Sequence, residues 1–147
     1  MMNELGFYTL AGQPKSPRDL IDEVRTGEAL GLGSAFISER FNVKEAATLS
    51  GAVGAVSTRL GIATAATNHN TRHPMVTAAY AMTMHRLTDG RFSLGLGRGI
   101  APMFKAYGLP KVTTAQLEDF VGILRRLFRG ETVFAHESKL ELVKAAQ

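Results

Sequence analysis

The strongest constraint in this sequence is an alternation. Short apolar runs of strand length trade places with helix-period segments, and the runs recur roughly every 25 to 32 residues. Leu5–Leu10 reads as the first strand. Gly12-Gln13-Pro14 turns the chain. Ser16-Pro17-Arg18-Asp19 then starts a helix, with Ser16 as cap and Asp19 reaching back toward the cap amide. Leu20, Ile21, Val24 and Leu30 share its apolar face, and Gly31 follows where positive φ is needed. Ala35-Phe36-Ile37 is the second strand. The second helix runs from Lys44 to about Val56, and the third strand over Leu60–Ala66. Pro74 opens a third helix that reaches Leu87; Thr88-Asp89-Gly90 turns into the fourth strand, Arg91–Gly95. A long loop over 96–112 precedes a capping box at Thr113-Thr114-Ala115-Gln116. The fourth helix carries Leu117, Phe120, Val121, Leu124, Leu127 and Phe128 on one face, and Gly130 ends it.

Four successive βα pairs predict an α/β fold with a parallel sheet and right-handed crossovers. Nearly unbroken apolar strands fit a sheet covered on both faces, or a barrel wall. A complete eight-stranded barrel needs about 250 residues, and this chain has 147. Two architectures remain: an open four-stranded domain, or the N-terminal half of a (β/α)8 barrel. Residues 1–133 form this domain, and 134–147 read as a charged tail or a truncated continuation. The third helix is apolar almost all round, from Val76 through Met84. Its outer face asks for cover, from a homodimer through helices 2 and 3 or from a neighbouring helix of the same chain.

Composition excludes several classes. With no cysteine there is no disulfide framework and no cysteine-ligated zinc or iron–sulfur site. No apolar run approaches the roughly 18 residues of a membrane span. The start, Met1-Met2-Asn3-Glu4, lacks the basic region of a signal peptide. A cytoplasmic protein is expected. The net charge of +4 comes from scattered residues. Its densest cluster, Arg125, Arg126 and Arg129, shares a helix with Glu118 and Asp119 and reads as a solvated face, not a nucleic-acid surface.

Three segments carry candidate chemistry at strand ends, where parallel-sheet enzymes place their sites. Gly95-Leu96-Gly97-Arg98-Gly99 follows the fourth strand. It lacks the third glycine of a dinucleotide fingerprint, since Ile100 follows, and no helix opens promptly. It is either a loop whose backbone approaches a ligand or a tight turn. Thr67-Asn68-His69-Asn70-Thr71-Arg72-His73 follows the third strand with more polar groups than a turn requires. Here His73 can simply cap the helix and Arg72 can simply pair with a carboxylate. The histidines at 69, 73 and 85 have no acidic partner at metal-ligand spacing, so no metal is expected. Ser38-Glu39-Arg40 follows the second strand. Glu39 there either contacts a ligand ring or moves protons, or it forms a surface pair with Arg40.

Thr71-Arg72-His73-Pro74, the run from Leu87-Thr88-Asp89-Gly90-Arg91-Phe92 to Gly99, and Leu117-Glu118 through Val133 together resemble the luciferase-like monooxygenase superfamily. The resemblance covers residues 4–133. Thr67-Asn68 with Thr71–Pro74 is most similar to the branch that uses coenzyme F-420, a deazaflavin. The resemblance implies a bacterial luciferase-like (β/α)8 barrel and hydride transfer between a small organic substrate and carbon 5 of the deazaflavin. It implies a non-prolyl cis peptide near Ala65-Ala66 behind the ring. It places Glu39, Ala65, Ala66, Thr67, Asn68, Gly97 and Arg98 around the cofactor. Arg40 stands where the sugar-phosphate dehydrogenases of the branch have a catalytic histidine, which argues against that reaction. Glu39 and His69 are then the candidates for catalytic proton handling. An FMN-dependent monooxygenase of the same superfamily is the alternative enzyme. A non-catalytic half-barrel that only dimerises is the alternative of a different class.

Overall fold

The computed structural model describes residues 1–134. In chain order the elements are β1 (Met2–Tyr8), α1 (Asp19–Ala29), β2 (Leu32–Ile37), α2 (Ala46–Val56), β3 (Gly61–Thr64), β4 (Thr67–Asn68), α3 (Pro74–Leu87), β5 (Phe92–Ser93), β6 (Leu96–Gly97), α4 (Ala101–Ala106) and α5 (Thr114–Phe128). The chain forms two compact units. One comprises Met1–Thr67 with Thr83–Leu96, the other Asn68–Met82 with the chain from Gly97 onward.

The first unit is built on a four-stranded sheet in the order β1-β2-β3-β5. All three pairings are parallel, as the alternation predicts. Its core combines Leu10, Leu20, Val24, Ala35, Ile37, Val53, Leu60 and Ile62, all fully buried or within 1% of it. Strand β1 runs earlier than the expected Leu5–Leu10. Parallel pairing of Met2 with Leu32 draws the N-terminus into the ladder, and positive φ at Leu10 ends it. Strand β2 extends back to Leu32, since Gly33 and Ser34 join the ladder without contributing apolar bulk. Strand β3 is shorter than Leu60–Ala66 because the chain leaves the ladder after Thr64.

Helix α1 buries Leu20, Val24 and Gly27, a stripe with helical spacing. It starts at Asp19, three residues after Ser16, because Ser16–Asp19 forms an i→i+3 turn first. Ser16 and Asp19 still make the reciprocal bonds of a cap: Arg18 N–H donates to the Ser16 hydroxyl and Ser16 N–H to the Asp19 carboxylate. Gly31 has the expected positive φ, +80°. Helix α2 starts at Ala46 and not Lys44, because the Glu45 carboxylate caps it by accepting from Ala47 and Thr48 N–H. A Cβ on Gly54 of α2 would stand 3.0 Å from Thr88 and 3.4 Å from Met84. The end of α3 therefore has a neighbouring helix of the same chain close against it. Met75, Val76 and Leu87 of α3 nonetheless stay exposed.

The N-terminal end of the sheet is a polar clamp. The Glu28 carboxylate accepts from the backbone N–H groups of Thr58, Arg59 and Leu60. Burial pushes the Glu28 pKa up, but these three donors and the Arg59 charge prevail and hold it below its ordinary value. Arg91 donates to the carbonyls of Ser57, Leu60 and Thr88 and to the Ser57 hydroxyl. Arg59 donates to Leu32 and Glu28 carbonyls.

In the second unit, α5 begins with the expected capping box: Thr113 accepts from Gln116 N–H and Gln116 reaches back to Thr113 N–H. It buries Phe120, Ile123 and Leu124, while Phe128 is 39% exposed. Arg126 and Arg129 lie on the solvent side and pair with Glu131 at 2.9 and 2.7 Å, the solvated face read from the sequence. The expected long loop over 96–112 is not featureless. It contains β6, which pairs with β4, and the six-residue α4. Helix α4 is anchored by buried Phe104 and closed by Leu109 N–H donating to the Phe104 carbonyl, a Schellman-type ending. Both elements are too short to show a period. Of the segment 134–147, expected as a tail or a truncated continuation, residues 135–147 lie outside the described residues.

Candidate functional site

In the first unit, the C-terminal ends of β1, β2 and β3 bring together Tyr8, Ser38, Glu39 and the segment 65–67. The Ala65–Ala66 peptide is cis, at the position the resemblance implied. This segment is tied down on every side. Ala65 N–H donates to Ile37 carbonyl at 2.6 Å, Glu39 N–H to the Ala66 carbonyl at 3.2 Å, and Thr67 N–H to the Gly95 carbonyl at 3.0 Å. The Tyr8 hydroxyl donates to the Ala65 carbonyl at 3.2 Å. What faces outward is small: Ala65 is exposed and Ala66 half-buried.

Glu39 is a hub. Its carboxylate accepts from the Thr67 hydroxyl at 3.0 Å and from Ala46 N–H, at the start of α2, at 3.1 Å. The latter bond places a carboxylate at a helix N-terminus, where the backbone dipole favours negative charge. Arg40 is turned to a different task, donating to the Gly12 carbonyl at 2.8 Å. Ser38 places a buried hydroxyl at the end of β2 without a hydrogen-bond partner among the described residues.

Lys44 is the residue that sequence reasoning missed. It is 1% exposed. Arg40 and Lys44 exchange backbone bonds at 2.9 and 2.7 Å, and this tight loop turns the side chain inward. Its Nζ donates to the carbonyls of Thr9 and Leu10 at 3.1 and 3.2 Å. It also lies 5.2 Å from the centre of the Tyr8 ring, within cation–π range. Burial pushes the Lys44 pKa down, nearby Arg40 adds to this, and Glu23 opposes it. No apolar period or motif in the sequence marks this lysine as buried.

The second unit carries its own polar cluster. His69 is 1% exposed, and its ring meets Phe120 edge-on at 5.2 Å. Neither ring nitrogen has a hydrogen-bond partner among the described residues. Burial lowers the His69 pKa. The Asn70 amide and the Thr77 hydroxyl are likewise buried without described partners. His73 Nδ1 accepts from Met75 N–H at 3.2 Å, so it does cap α3. Arg98 donates to the Thr114 hydroxyl at 2.9 Å. Gly99 has a φ of +70°, and a Cβ there would collide with the Phe104 ring. Among the described residues no group of three His, Cys, Asp or Glu is placed to hold a metal ion.

The imidazole gives a pH prediction. A histidine whose folded pKa is lowered stabilises the fold fully above its unfolded value, about 6.5. That stability is lost as pH falls from there through the lowered native value. His69→Phe is expected to flatten the fall of the melting temperature between pH 7.5 and 5.5. Parallel curves for the two proteins would contradict the buried neutral ring.

The luciferase-like monooxygenase family model matches residues 2–147, and the chain belongs to that family. An F-420-dependent glucose-6-phosphate dehydrogenase of Mycobacterium avium is 30% identical over 141 residues, covering 86% of this chain and 42% of that protein. The 5,10-methylenetetrahydromethanopterin reductase of Methanopyrus kandleri is 25% identical, with coverage of 82% and 36%. Among solved structures, the oxygenating constituent of 3,6-diketocamphane monooxygenase from Pseudomonas putida, a complex with FMN, superimposes with a TM-score of 0.79. Its identity is 22%, over 95% of this chain and 43% of that one. The chain thus spans less than half the length of these relatives. Its fold is the N-terminal half of the luciferase-like (β/α)8 barrel.

Proposed function

We propose that this chain is the N-terminal half of an F-420-dependent oxidoreductase that exchanges hydride with a small organic substrate. One observation carries the reading. A segment of two alanines, with its backbone anchored on all sides, lies exposed at the C-terminal end of a parallel sheet, where such folds place chemistry. The residues fit a flat ring. Ala65 and Ala66 present only methyl groups, so a planar cofactor lies on them without displacing a side chain. The buried Ser38 hydroxyl at the same sheet end is a polar group without a hydrogen-bond partner among the described residues. The name of the Mycobacterium relative, an F-420-dependent dehydrogenase, favours a cofactor of this class.

In this reading Glu39, Ala65, Ala66 and Thr67 hold the ring from the first unit. The resemblance also assigns Asn68, Gly97 and Arg98 to the cofactor; these residues belong to the second unit. When bound, the deazaflavin supplies a hydride donor and acceptor at carbon 5, which the protein orients and shields. Glu39 fixes the orientation of Thr67 and of the start of α2 through the two bonds its carboxylate accepts. His69, in the second unit, is the other group proposed for proton handling, and burial lowers its pKa. A homodimer through α2 and α3 is part of the proposal, supported by exposed Met75 and Val76. A cytoplasmic location is also part of it; no helix among the described residues is long and apolar enough to cross a membrane.

The FMN complex of the Pseudomonas relative supports a second reading, an FMN-dependent monooxygenase. Titrating the chain separately with F-420 and with FMN, following cofactor emission, tests both. Binding of F-420 is the expected result. Binding of FMN alone would favour the monooxygenase. Binding of neither would leave a non-catalytic half-barrel that only dimerises.

A further inference from the structure

We propose that Lys44 is a positioning residue for the cofactor-bearing Ala65–Ala66 segment and that it acts through Tyr8. The inference rests on the cofactor reading above and adds a residue to it.

The chain of contacts is short and lies wholly within the first unit. The Lys44 ammonium binds the carbonyls of Thr9 and Leu10, the two residues that follow β1. Two of its three N–H groups are thereby used, and the charge sits against the Tyr8 ring face. Tyr8 is the last residue of β1 and is 48% exposed, so packing alone does not fix its ring. The ammonium holds the ring on one side, and the Ala65 carbonyl holds its hydroxyl on the other. Lys44 itself makes no described bond to residues 65–67. Its influence on them has to pass through the tyrosine. Taking a lysine out of water is costly, and a methionine would fill the same volume without that cost. A buried ammonium here is explained by the carbonyls it collects and the ring it holds.

The test uses the 147-residue chain, first without cofactor. The Ala66 amide resonance is followed in wild type, Lys44→Met, Tyr8→Phe and the double variant. Lys44→Met is expected to move the Ala66 signal when Tyr8 is present and to leave it unmoved in the Tyr8→Phe background. Cofactor affinity is then read by emission titration with F-420 and with FMN. Lys44→Met and Tyr8→Phe are each expected to weaken binding about tenfold, and the double variant to be no weaker than either single one. An Ala66 shift that is the same in both backgrounds overturns the proposal. So does affinity that falls independently in the two single variants, or not at all. Should Lys44→Met fail to fold, Tyr8→Phe carries the test alone. It keeps the ring and removes only the hydroxyl, and an unmoved Ala66 signal with unchanged affinity overturns the proposal. Should wild type bind neither cofactor, the oxidoreductase reading fails on its own, and the resonances still show whether Lys44 reaches Ala66 through Tyr8.

Discussion

Arg91→Ala is expected to cost about 3 kcal/mol of stability, read as a lower urea midpoint with an unchanged slope by far-UV circular dichroism. The guanidinium collects three carbonyls and one hydroxyl from the connections that enter β3 and β5. Hydrogen bonds to a charged donor are each worth about 1.5–3 kcal/mol, and removal leaves half-buried carbonyls without a donor. The sum is less than additive, because one side chain makes all four bonds and water reaches part of the site. Arg91→Lys is expected to recover only part of the loss, since an ammonium cannot reproduce a planar fork. A loss below about 0.5 kcal/mol, the range of an ordinary surface substitution, would show that the network is ornamental.

Gly95→Ala is the second large effect. A Cβ at this position would overlap the backbone carbonyl oxygen of Thr64, which no rotamer change relieves. The Thr64 hydroxyl and the Gly95 backbone are bonded twice, at 2.8 Å in each direction. The Gly95 carbonyl also receives Thr67 N–H. A methyl group must push these backbones apart. An expected cost of about 3 kcal/mol or more follows from overpacking and the loss of these bonds. Amide exchange at Thr67 and Gly95 is expected to speed up together with the drop in melting temperature. Unchanged protection at Thr67 would mean that the neighbouring backbone yields without breaking the contact.

Much of this arrangement is legible from residues alone. The bounds of α3 follow from Pro74 and the Thr88-Asp89-Gly90 turn, and the start of α5 from Thr113 and Gln116, because caps and prolines act locally. The parallel sheet follows from the spacing of apolar runs. Glu39 is readable as a carboxylate at a strand end, but its bonds to Thr67 and Ala46 are not. They depend on the pairing that sets Ile37 beside Thr64, and sequence spacing does not contain that register. Lys44 is invisible for a related reason. Its burial comes from a five-residue loop folded back on itself, not from any apolar period. Glycines 95 and 99 read from the sequence as part of a ligand-approach loop or a tight turn. Each has a reason within the chain: Gly95 lies against Thr64, and Gly99 takes positive φ beside Phe104.

The sheet separates two kinds of residue by its own length. Glu28, Arg59 and Arg91 lie at one end of the strands, and Tyr8, Glu39 and Lys44 at the other. Strand β2 has six residues, or about 20 Å at 3.3 Å each. Substitutions that far apart, with no shared partner, add in free energy instead of compounding. A lineage carrying this scaffold can therefore trade residues at the mouth while drawing on a reserve of stability set at the opposite rim. Changes of chemistry and changes of robustness become nearly independent heritable variables.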